Sequence, residues 1–413
     1  MSKGVIGETG YAVIWGQATQ SPIFPWHGKL GDPRNLNIHL EMSPQQLVQG
    51  NWGLRSLSPY CGAAMISILS WDIGGANVKA VALMLEKRRS ELVRVVSQPF
   101  EIWREKDRLP DVLHEVFDAA DCVPPPLAMA ITMTAELSDV FETKRDGVLF
   151  VLESLKNSFP GLQGYVLNLS GDFVPMHLAV SQPLEFAATN WLASALWVAR
   201  QCPNCLLVDV GSTTTDILPI VDGKVRVCGR TDLQRLSTGE LVYTGVLRTN
   251  LAAIVRQVPV AGRFCRVASE YFAVSGDVHL ILGYLNPEDY TCTTPDGRPP
   301  SLDSARKRLA RLVCADIEML STIEIEALAR YLYAQQIRQV CEGMEQVISR
   351  FPHLRAQPAV VIGTGAYMGK AAAANMGLEI HDLSNQLGHR ELSAVPCLAA
   401  AHLLVEHLKI ESK

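Results

Sequence analysis

Two segments of the sequence place an aspartate and a glycine-rich turn directly after an apolar run. They read Asp72-Ile-Gly-Gly-Ala-Asn77 and Asp209-Val-Gly-Ser-Thr-Thr214. Glycines allow the backbone to approach an oxyanion closely, and successive backbone N–H groups in such a turn form a concave anion site. We therefore expect a phosphate or diphosphate between the two turns. The predicted contacts are Gly74, Gly75 and Asn77 in the first turn and Gly211, Ser212, Thr213 and Thr214 in the second.

Charged residues beside these turns would complete a phosphate site. Carboxylates repel phosphate but hold hydrated Mg²⁺, so Asp72 and Asp209 are the predicted ligands of a cation that bridges to the phosphate. Lys79 follows the first turn and could offset diphosphate charge as a compact cation. A third glycine turn, Gly363-Thr-Gly365, is the predicted remaining part of a phosphate or nucleotide site. Two ordinary structural hairpins are the alternative interpretation of the first two turns.

The segment 132–145 follows another apolar run and is dense in ionisable residues. Open α/β sheets place their ligands at the carboxyl ends of strands, and a carboxylate there can act as general base toward a substrate hydroxyl. We expect that base to be Glu136, with Asp139 as the second choice. Lys144 and Arg145 are predicted to bind a substrate carboxylate or phosphate. A solvated helix face with i,i+4 pairs is the structural alternative for each of these residues.

Two further polar residues are expected to contact the substrate. Asp172 lies in a Ser-Gly-Asp turn after an apolar run, and Asn190 lies on the predicted helix that follows. The neighbouring Trp191 is more typical of a protein core. The charged segment 229–243 is expected to line the opposite wall of the same cleft.

The elements that must position these residues alternate between strands and helices, which is typical of an α/β fold. Strands are expected over 65–71, 78–85, 92–97, 127–133, 164–168, 206–210, 215–221 and 360–362, and helices over 109–119, 146–157, 185–200, most of 301–350 and 368–375. The repeated Asp-x-Gly turn indicates two similar lobes, 65–205 and 206–413, that face each other across a central cleft. Residues 1–64 are rich in Pro, Gly, Gln and Asn, and we interpret them as an extension upstream of an initiator at Met65; the alternative is a loosely packed N-terminal arm.

The bulk composition describes a well-packed globular protein. Hydrophobic residues make up 48% of the chain and charged residues 19%, with a formal net charge of −5. That balance gives no reason to expect nucleic acid or a membrane as a partner. No apolar run reaches the ~20 residues that a membrane-spanning helix needs. The ten cysteines do not show zinc-site spacing and favour a reduced, cytoplasmic protein.

The paired turns resemble the phosphate-binding core of the ASKHA fold, the two-lobed, ribonuclease H-like architecture of actin, hexokinase and Hsp70. Within that fold the sequence is similar to hydantoinase/oxoprolinase-like proteins, and among them to the family linked to tetrahydromethanopterin-dependent C1 transfer. The similarity extends over roughly residues 65–400. It is carried by the two turns and by Thr132-Met-Thr-Ala-Glu-Leu-Ser-Asp139, Ser170-Gly-Asp-Phe-Val174, Asn190-Trp191, Thr238-Gly-Glu-Leu-Val-Tyr-Thr-Gly245 and Asp277-Val-His279.

The resemblance implies a transferase of methanofuran-type coenzyme biosynthesis. Such an enzyme would join an aminomethylfuran-methyl diphosphate to a tyramine-type phenol and release diphosphate, with Mg²⁺ as the cofactor. The alternative is an ATP-dependent small-molecule kinase or a hydantoinase/oxoprolinase-like hydrolase, in which Gly363 and Gly365 bind the adenosine of ATP. Ala76 weakens the kinase alternative, because sugar kinases of this fold commonly place a threonine there and so gain a hydroxyl donor.

Overall fold

A computed structural model of the protein describes residues 65–85, 91–383 and 387–410. The predicted extension over residues 1–64 lies outside these ranges. Within the described ranges, no helix is both long enough and apolar enough to cross a membrane.

The first sheet is formed by β1 (Ile66–Ile73), β2 (Asn77–Leu85), β3 (Glu91–Pro99), β4 (Ala128–Met133), β5 (Gly164–Leu167) and β6 (Phe173–Pro175). Its strand order is β3-β2-β1-β4-β5-β6. β1, β4 and β5 run parallel, and the other neighbours pair antiparallel. The central strands β1 and β4 are buried almost throughout, which explains why they are continuous apolar runs in the sequence.

The second sheet repeats this plan with β7 (Cys205–Val210), β8 (Thr215–Val221), β9 (Lys224–Val225), β10 (Leu241–Val242), β13 (Ala359–Ile362) and β14 (Ile380–Asp382). The strand order is β10-β8-β7-β13-β14, and β9 pairs with β8. β7, β13 and β14 run parallel, and β7 pairs antiparallel with β8. Between β10 and β13 along the chain, β11 (Gln257–Val260) and β12 (Arg263–Arg266) form a separate antiparallel pair.

Helices connect and cover the two sheets. Those before the second sheet are α1 (Ile102–Glu105), α2 (Leu109–Ala120), α3 (Lys144–Ser158), α4 (Met176–Ala179) and α5 (Asn190–Gln201). Those that follow β7 are α6 (Asp232–Thr238), α7 (Leu251–Ile254), α8 (Ser275–Ile281), α9 (Leu302–Arg311), α10 (Thr322–Arg350), α11 (Ala366–Asn375), α12 (His389–Leu392) and α13 (Val395–His407).

The two Asp-x-Gly turns are one structure built twice. In the β1–β2 turn the Gly74 N–H donates to the Asn77 carbonyl at 2.9 Å, and in the β7–β8 turn the Gly211 N–H donates to the Thr214 carbonyl at 2.9 Å. The strand registers also correspond, since Asp72 lies opposite Lys79 and Asp209 lies opposite Asp216. The predicted internal duplication is confirmed.

Each sheet is covered by a helix from the other half of the chain. The apolar face of α5 packs on the second sheet, where Trp191 and Val198 join one core cluster with Leu207 and Leu218. The C-terminal α13 packs on the first sheet beside Ile68 and Ala130. The predicted boundary between residues 205 and 206 assigns α5 to the first lobe and α13 to the second, although each packs on the sheet of the other lobe. Packing partners that lie far apart in sequence leave no local signal.

The bounds of two predicted helical regions differ from those that the apolar periodicity of the sequence indicated. α5 starts at Asn190, later than predicted, because Pro183–Phe186 forms a 3-10 turn and Ala188 adopts a φ of 50°. The long helical region predicted over 301–350 is two helices, α9 and α10. Cys314 adopts a φ of 55° between them, and the Ser321 hydroxyl begins α10 with a capping box.

Candidate active site

The two turns are fixed from behind by neighbouring segments. Gly74 must be glycine, because a Cβ there would lie 2.9 Å from the Asn77 carbonyl oxygen. The second turn is held by the segment after β10, in which the Val246 N–H donates to the Gly211 carbonyl at 3.0 Å and the Leu247 N–H to the Ser212 carbonyl at 2.8 Å. Both turns are therefore preorganised rather than free to adapt.

Buried carboxylates lie between the turns. Asp72 and Asp209 end β1 and β7, and each is only 8% exposed. Burial raises the pKa of Asp72, while Lys79, Asn190 and Thr132 lower it. Burial raises the pKa of Asp209 to about 7; the charges of Asp216 and Asp72 act in the same direction and that of Lys79 opposes them. The two predicted metal ligands thus influence each other across the cleft.

A second layer of charge supports this centre. The Asp216 carboxylate accepts a hydrogen bond from the buried Arg235 guanidinium, which also pairs with Asp232 at 3.5 Å. The same guanidinium stacks on Trp191, 4.2 Å from the ring centroid. Burial raises the pKa of Asp216, and Arg235 lowers it. Arg235 therefore stabilises the ionised carboxylate of Asp216, which lies opposite Asp209 in the β7–β8 pair.

A cavity of about 590 Å³ opens between the lobes at this centre. Thirteen of the residues predicted from sequence line it. Those from the first half are Asp72, Gly74, Gly75, Asn77, Lys79, Asp139 and Asn190, and those from the second are Asp209, Gly211, Ser212, Thr213, Thr214 and Gly363. The predicted opposite wall is also present, with Asp232, Arg235 and Tyr243 from segment 229–243.

The profile of the family described as Hydantoinase/oxoprolinase matches residues 128–406 of this chain. The chain belongs to this family. Among curated proteins, (4-{4-[2-(gamma-L-glutamylamino)ethyl]phenoxymethyl}furan-2-yl)methanamine synthase from Methanocaldococcus jannaschii is 35% identical over 344 residues, which span 83% of this chain and 99% of that protein. A protein of the same name from Methanococcus vannielii is 34% identical over 209 residues, 50% of this chain and 92% of that protein.

Among solved structures, the fold is similar to that of acetone carboxylase in its nucleotide-free form, with a TM-score of 0.50. That structure is described in terms of the mechanism of ATP-dependent acetone carboxylation. The sequence identity is 9%, and the match covers 82% of this chain and 70% of that chain. At this identity the likeness concerns the fold alone. It confirms the two-lobed α/β architecture of the ASKHA type.

In this hydantoinase/oxoprolinase protein, the donor set around Asp72 and Asp209 fits Mg²⁺. Mg²⁺ is usually held by one or two carboxylates while its remaining positions are filled by water and substrate phosphate. Throughout the described ranges, no group of three His, Cys, Asp or Glu side chains is arranged to hold a metal by itself. A pair of buried aspartates with raised pKa values is the arrangement that a cation bridging to phosphate would stabilise.

Glu136, the predicted base, is not on the cavity wall. It is 1% exposed, and neither carboxylate oxygen has a hydrogen-bond partner in the described part of the chain. Gly147 of α3 packs onto it so closely that a Cβ at that glycine would lie 2.6 Å from the Glu136 Cα. Burial, aided by the charge of Asp232, raises the pKa of Glu136 to about 8. The expected contact with substrate is corrected: the turn Ala135–Leu137 directs this side chain behind the wall.

Four other predicted residues do not line the cavity either. Lys144 pairs with Asp232 of the opposite lobe at 3.1 Å, and Arg145 next to it is exposed at the start of α3. Asp172 is exposed in the β5–β6 turn, where its N–H donates to the Asn168 side chain. Gly365 packs under the second turn, since a Cβ there would lie 2.4 Å from a Val210 methyl. The structure therefore does not bring these four residues to the wall of this cavity.

Several residues of the lining were not among the predicted site residues. Trp103 of α1 and Arg248 come from different lobes and meet in the cavity, the guanidinium lying 4.5 Å from the ring centroid. Leu137 and Leu236 also line it, although they are 53% and 48% exposed. Exposed leucines on a cavity wall are the signal that could have indicated an aromatic substrate.

Proposed function

We propose that this protein is a transferase that joins a furanylmethyl diphosphate to the phenol oxygen of a tyramine-type acceptor and releases diphosphate. One observation carries the proposal: a single cavity is lined both by two phosphate-type turns and by large apolar side chains, among them Leu137 and Leu236. The two relatives named above support it, because their name describes a product with a phenoxymethyl-furan linkage. The first of them is matched over 99% of its length.

The diphosphate would lie between the paired turns. The backbone N–H group of Gly75 and the hydroxyls of Ser212 and Thr213 are donors available there. Asp72 and Asp209 would hold Mg²⁺, which when bound supplies charge stabilisation to the departing diphosphate. This arrangement stabilises charge that grows as the carbon–oxygen bond breaks.

The aromatic rings of both substrates would lie against the apolar wall. Leu137 and Leu236 project from opposite lobes, and Tyr243 lies beside them with 58% of its surface exposed. Large apolar side chains are exposed inside this cavity, and a ring that covers them removes apolar surface from water. That burial favours binding of an aromatic group. A furan and a phenol are flat and apolar enough to fill that space.

The reaction exchanges one carbon–oxygen bond for another. The bond between the furanylmethyl carbon and diphosphate breaks, and its electron pair leaves with the diphosphate. The phenol oxygen forms the new bond to that carbon and loses its proton. Asp139 is the carboxylate to accept this proton, because it is exposed on the cavity wall two residues from Leu137, whereas Asp232 is engaged by Lys144 and Arg235.

The ATP-dependent alternative predicts that adenosine contacts both Gly363 and Gly365. No residue between 249 and 362 lines the cavity, so this largely helical segment does not contribute to its wall. Gly365 is packed against Val210 and Val246, because a Cβ there would lie 2.4 Å from the first and 2.5 Å from the second, and it does not line the cavity as Gly363 does.

The proposal is tested by incubating the protein with an aminomethylfuran-methyl diphosphate, Mg²⁺ and tyramine-type phenols. Release of pyrophosphate should require both substrates, and an aryl ether should accumulate in equal amount. A parallel incubation replaces the furanylmethyl diphosphate with ATP. Hydrolysis of ATP without ether formation would overturn the proposal in favour of the ATP-dependent alternative.

A further inference from the structure

Three cations line the cavity, and two of them are already engaged. Lys79 donates its Nζ to the Ser393 carbonyl at 2.6 Å and faces the aspartates at the base of the turns. Arg235 is buried and paired with Asp216 and Asp232. The third, Arg248, makes no side-chain hydrogen bond or ion pair to any residue that the structure describes.

Arg248 lies beside both turns. Its backbone N–H donates to the Ser212 carbonyl of the second turn at 3.1 Å. Its guanidinium stacks on Trp103, which follows Ile102, and the Ile102 N–H donates to the Gly75 carbonyl of the first turn at 3.0 Å. The stacked pair therefore spans the outer edges of the two turns.

The stacking leaves the hydrogen-bonding groups of Arg248 free. A cation over an aromatic face is attracted by the charge distribution of the ring, and this contact does not require a hydrogen bond from its N–H donors. The nearby Glu101 carboxylate does not take these donors, because it pairs with Arg104 at 2.9 Å and accepts the Thr293 hydroxyl at 2.6 Å. The contact between Glu101 and Thr293 also joins the lobes at this edge.

We propose that Arg248, presented by Trp103 across the mouth of the turns, binds the outer phosphate of the diphosphate. This rests on the proposed function, since it assumes that a diphosphate occupies the turns. The charges support it: five aspartates line the cavity, and besides Arg248 the cations that line it are Lys79 and Arg235. A diphosphate adds further negative charge, and a planar, always charged donor fork is the group suited to it.

The test is titration calorimetry of the full chain with inorganic pyrophosphate in the presence of Mg²⁺. Arg248→Gln should weaken pyrophosphate binding by about tenfold or more, as expected for loss of a charge-assisted pair. Arg248→Lys should recover part of the loss. The matched control is Arg256→Gln in the same lobe, where an exposed arginine outside the cavity is changed; its affinity should equal that of the wild type.

Variants of Trp103 test independently whether its ring holds the Arg248 guanidinium in position to bind phosphate. Trp103→Leu should weaken pyrophosphate binding less than Arg248→Gln does, and Trp103→Phe should restore it because a ring face remains. A phenol acceptor titrated in the same way should bind all of these variants as it binds the wild type. A purely structural role would weaken both ligands together.

The outcomes separate the two proposals. Wild-type protein that does not bind pyrophosphate would overturn the proposed function. Wild-type protein that binds pyrophosphate, with Arg248→Gln binding it equally well, would overturn the role of Arg248 alone.

Discussion

Glu136 can be tested directly as a buried structural carboxylate rather than a catalytic one. Its oxygens have no hydrogen-bond partner in the described structure, and burial raises its pKa from 4.5 to about 8. A carboxyl whose pKa is raised in the folded state favours folding in its protonated form. Its contribution to stability is therefore fully present below about pH 4.5 and is lost as pH rises through about 8.

The size of the effect follows from the two pKa values. Each pKa unit corresponds to about 1.4 kcal/mol, so ionisation of Glu136 should lower the free energy of unfolding by about 3–4 kcal/mol between about pH 5 and pH 8. Glu136→Gln removes the titration while keeping the shape of the side chain. Any cost of burying the amide is independent of pH and cancels when the two pH values are compared.

The assay is thermal or urea unfolding of wild type and Glu136→Gln over this pH range. The variant should gain stability relative to the wild type as pH rises, by about 3–4 kcal/mol in total. Glu142→Gln is the matched control, because Glu142 is exposed on the following segment, and its curve should run parallel to that of the wild type. Parallel curves for Glu136→Gln would refute the reasoning, and so would a large loss of turnover without any change in stability.

Two further predictions concern the cavity. Asp139→Asn should lower turnover by roughly 100-fold or more, the usual contribution of a general base, while calorimetry finds pyrophosphate affinity unchanged; unchanged turnover would remove Asp139 from that role. Gly363→Ala should lower the thermal midpoint and abolish Mg²⁺-dependent pyrophosphate binding, because the added Cβ would lie 2.4 Å from the Val210 carbonyl oxygen and 2.5 Å from the Asp209 carboxylate at a φ of 90°. Gly377→Ala, which has a positive φ but open space around it, is the control for backbone strain alone, and equal effects would contradict the packing argument.

The turns themselves could be predicted because their chemistry is local. An aspartate that ends a strand and glycines that follow it specify both the turn and its anion-binding character within a few residues. The duplication could be predicted for the same reason, since Gly74 and Gly211 make the same hydrogen bond within their own turns. Strand bounds near the turns followed from continuous apolar runs.

The residues that sequence reasoning misplaced depend on contacts between distant segments. Whether Glu136 faces the cavity is decided by Gly147 on a neighbouring helix, which packs against it. Lys144 could not be assigned to Asp232, because the two lie in different lobes. The pairing of Trp103 with Arg248 is of the same kind. The last two contacts form only when the lobes come together.

Cleavage of the carbon–oxygen bond is the central claim, and an isotope label tests it most directly. The furanylmethyl diphosphate is prepared with ¹⁸O at the oxygen that bridges carbon and phosphorus, and the products are analysed by mass spectrometry after reaction with a tyramine-type phenol. The account predicts that all of the label leaves in the released diphosphate and that the aryl ether carries only the oxygen of the phenol. Label retained on the furanylmethyl carbon would mean that a phosphorus–oxygen bond was broken instead, and would contradict the account.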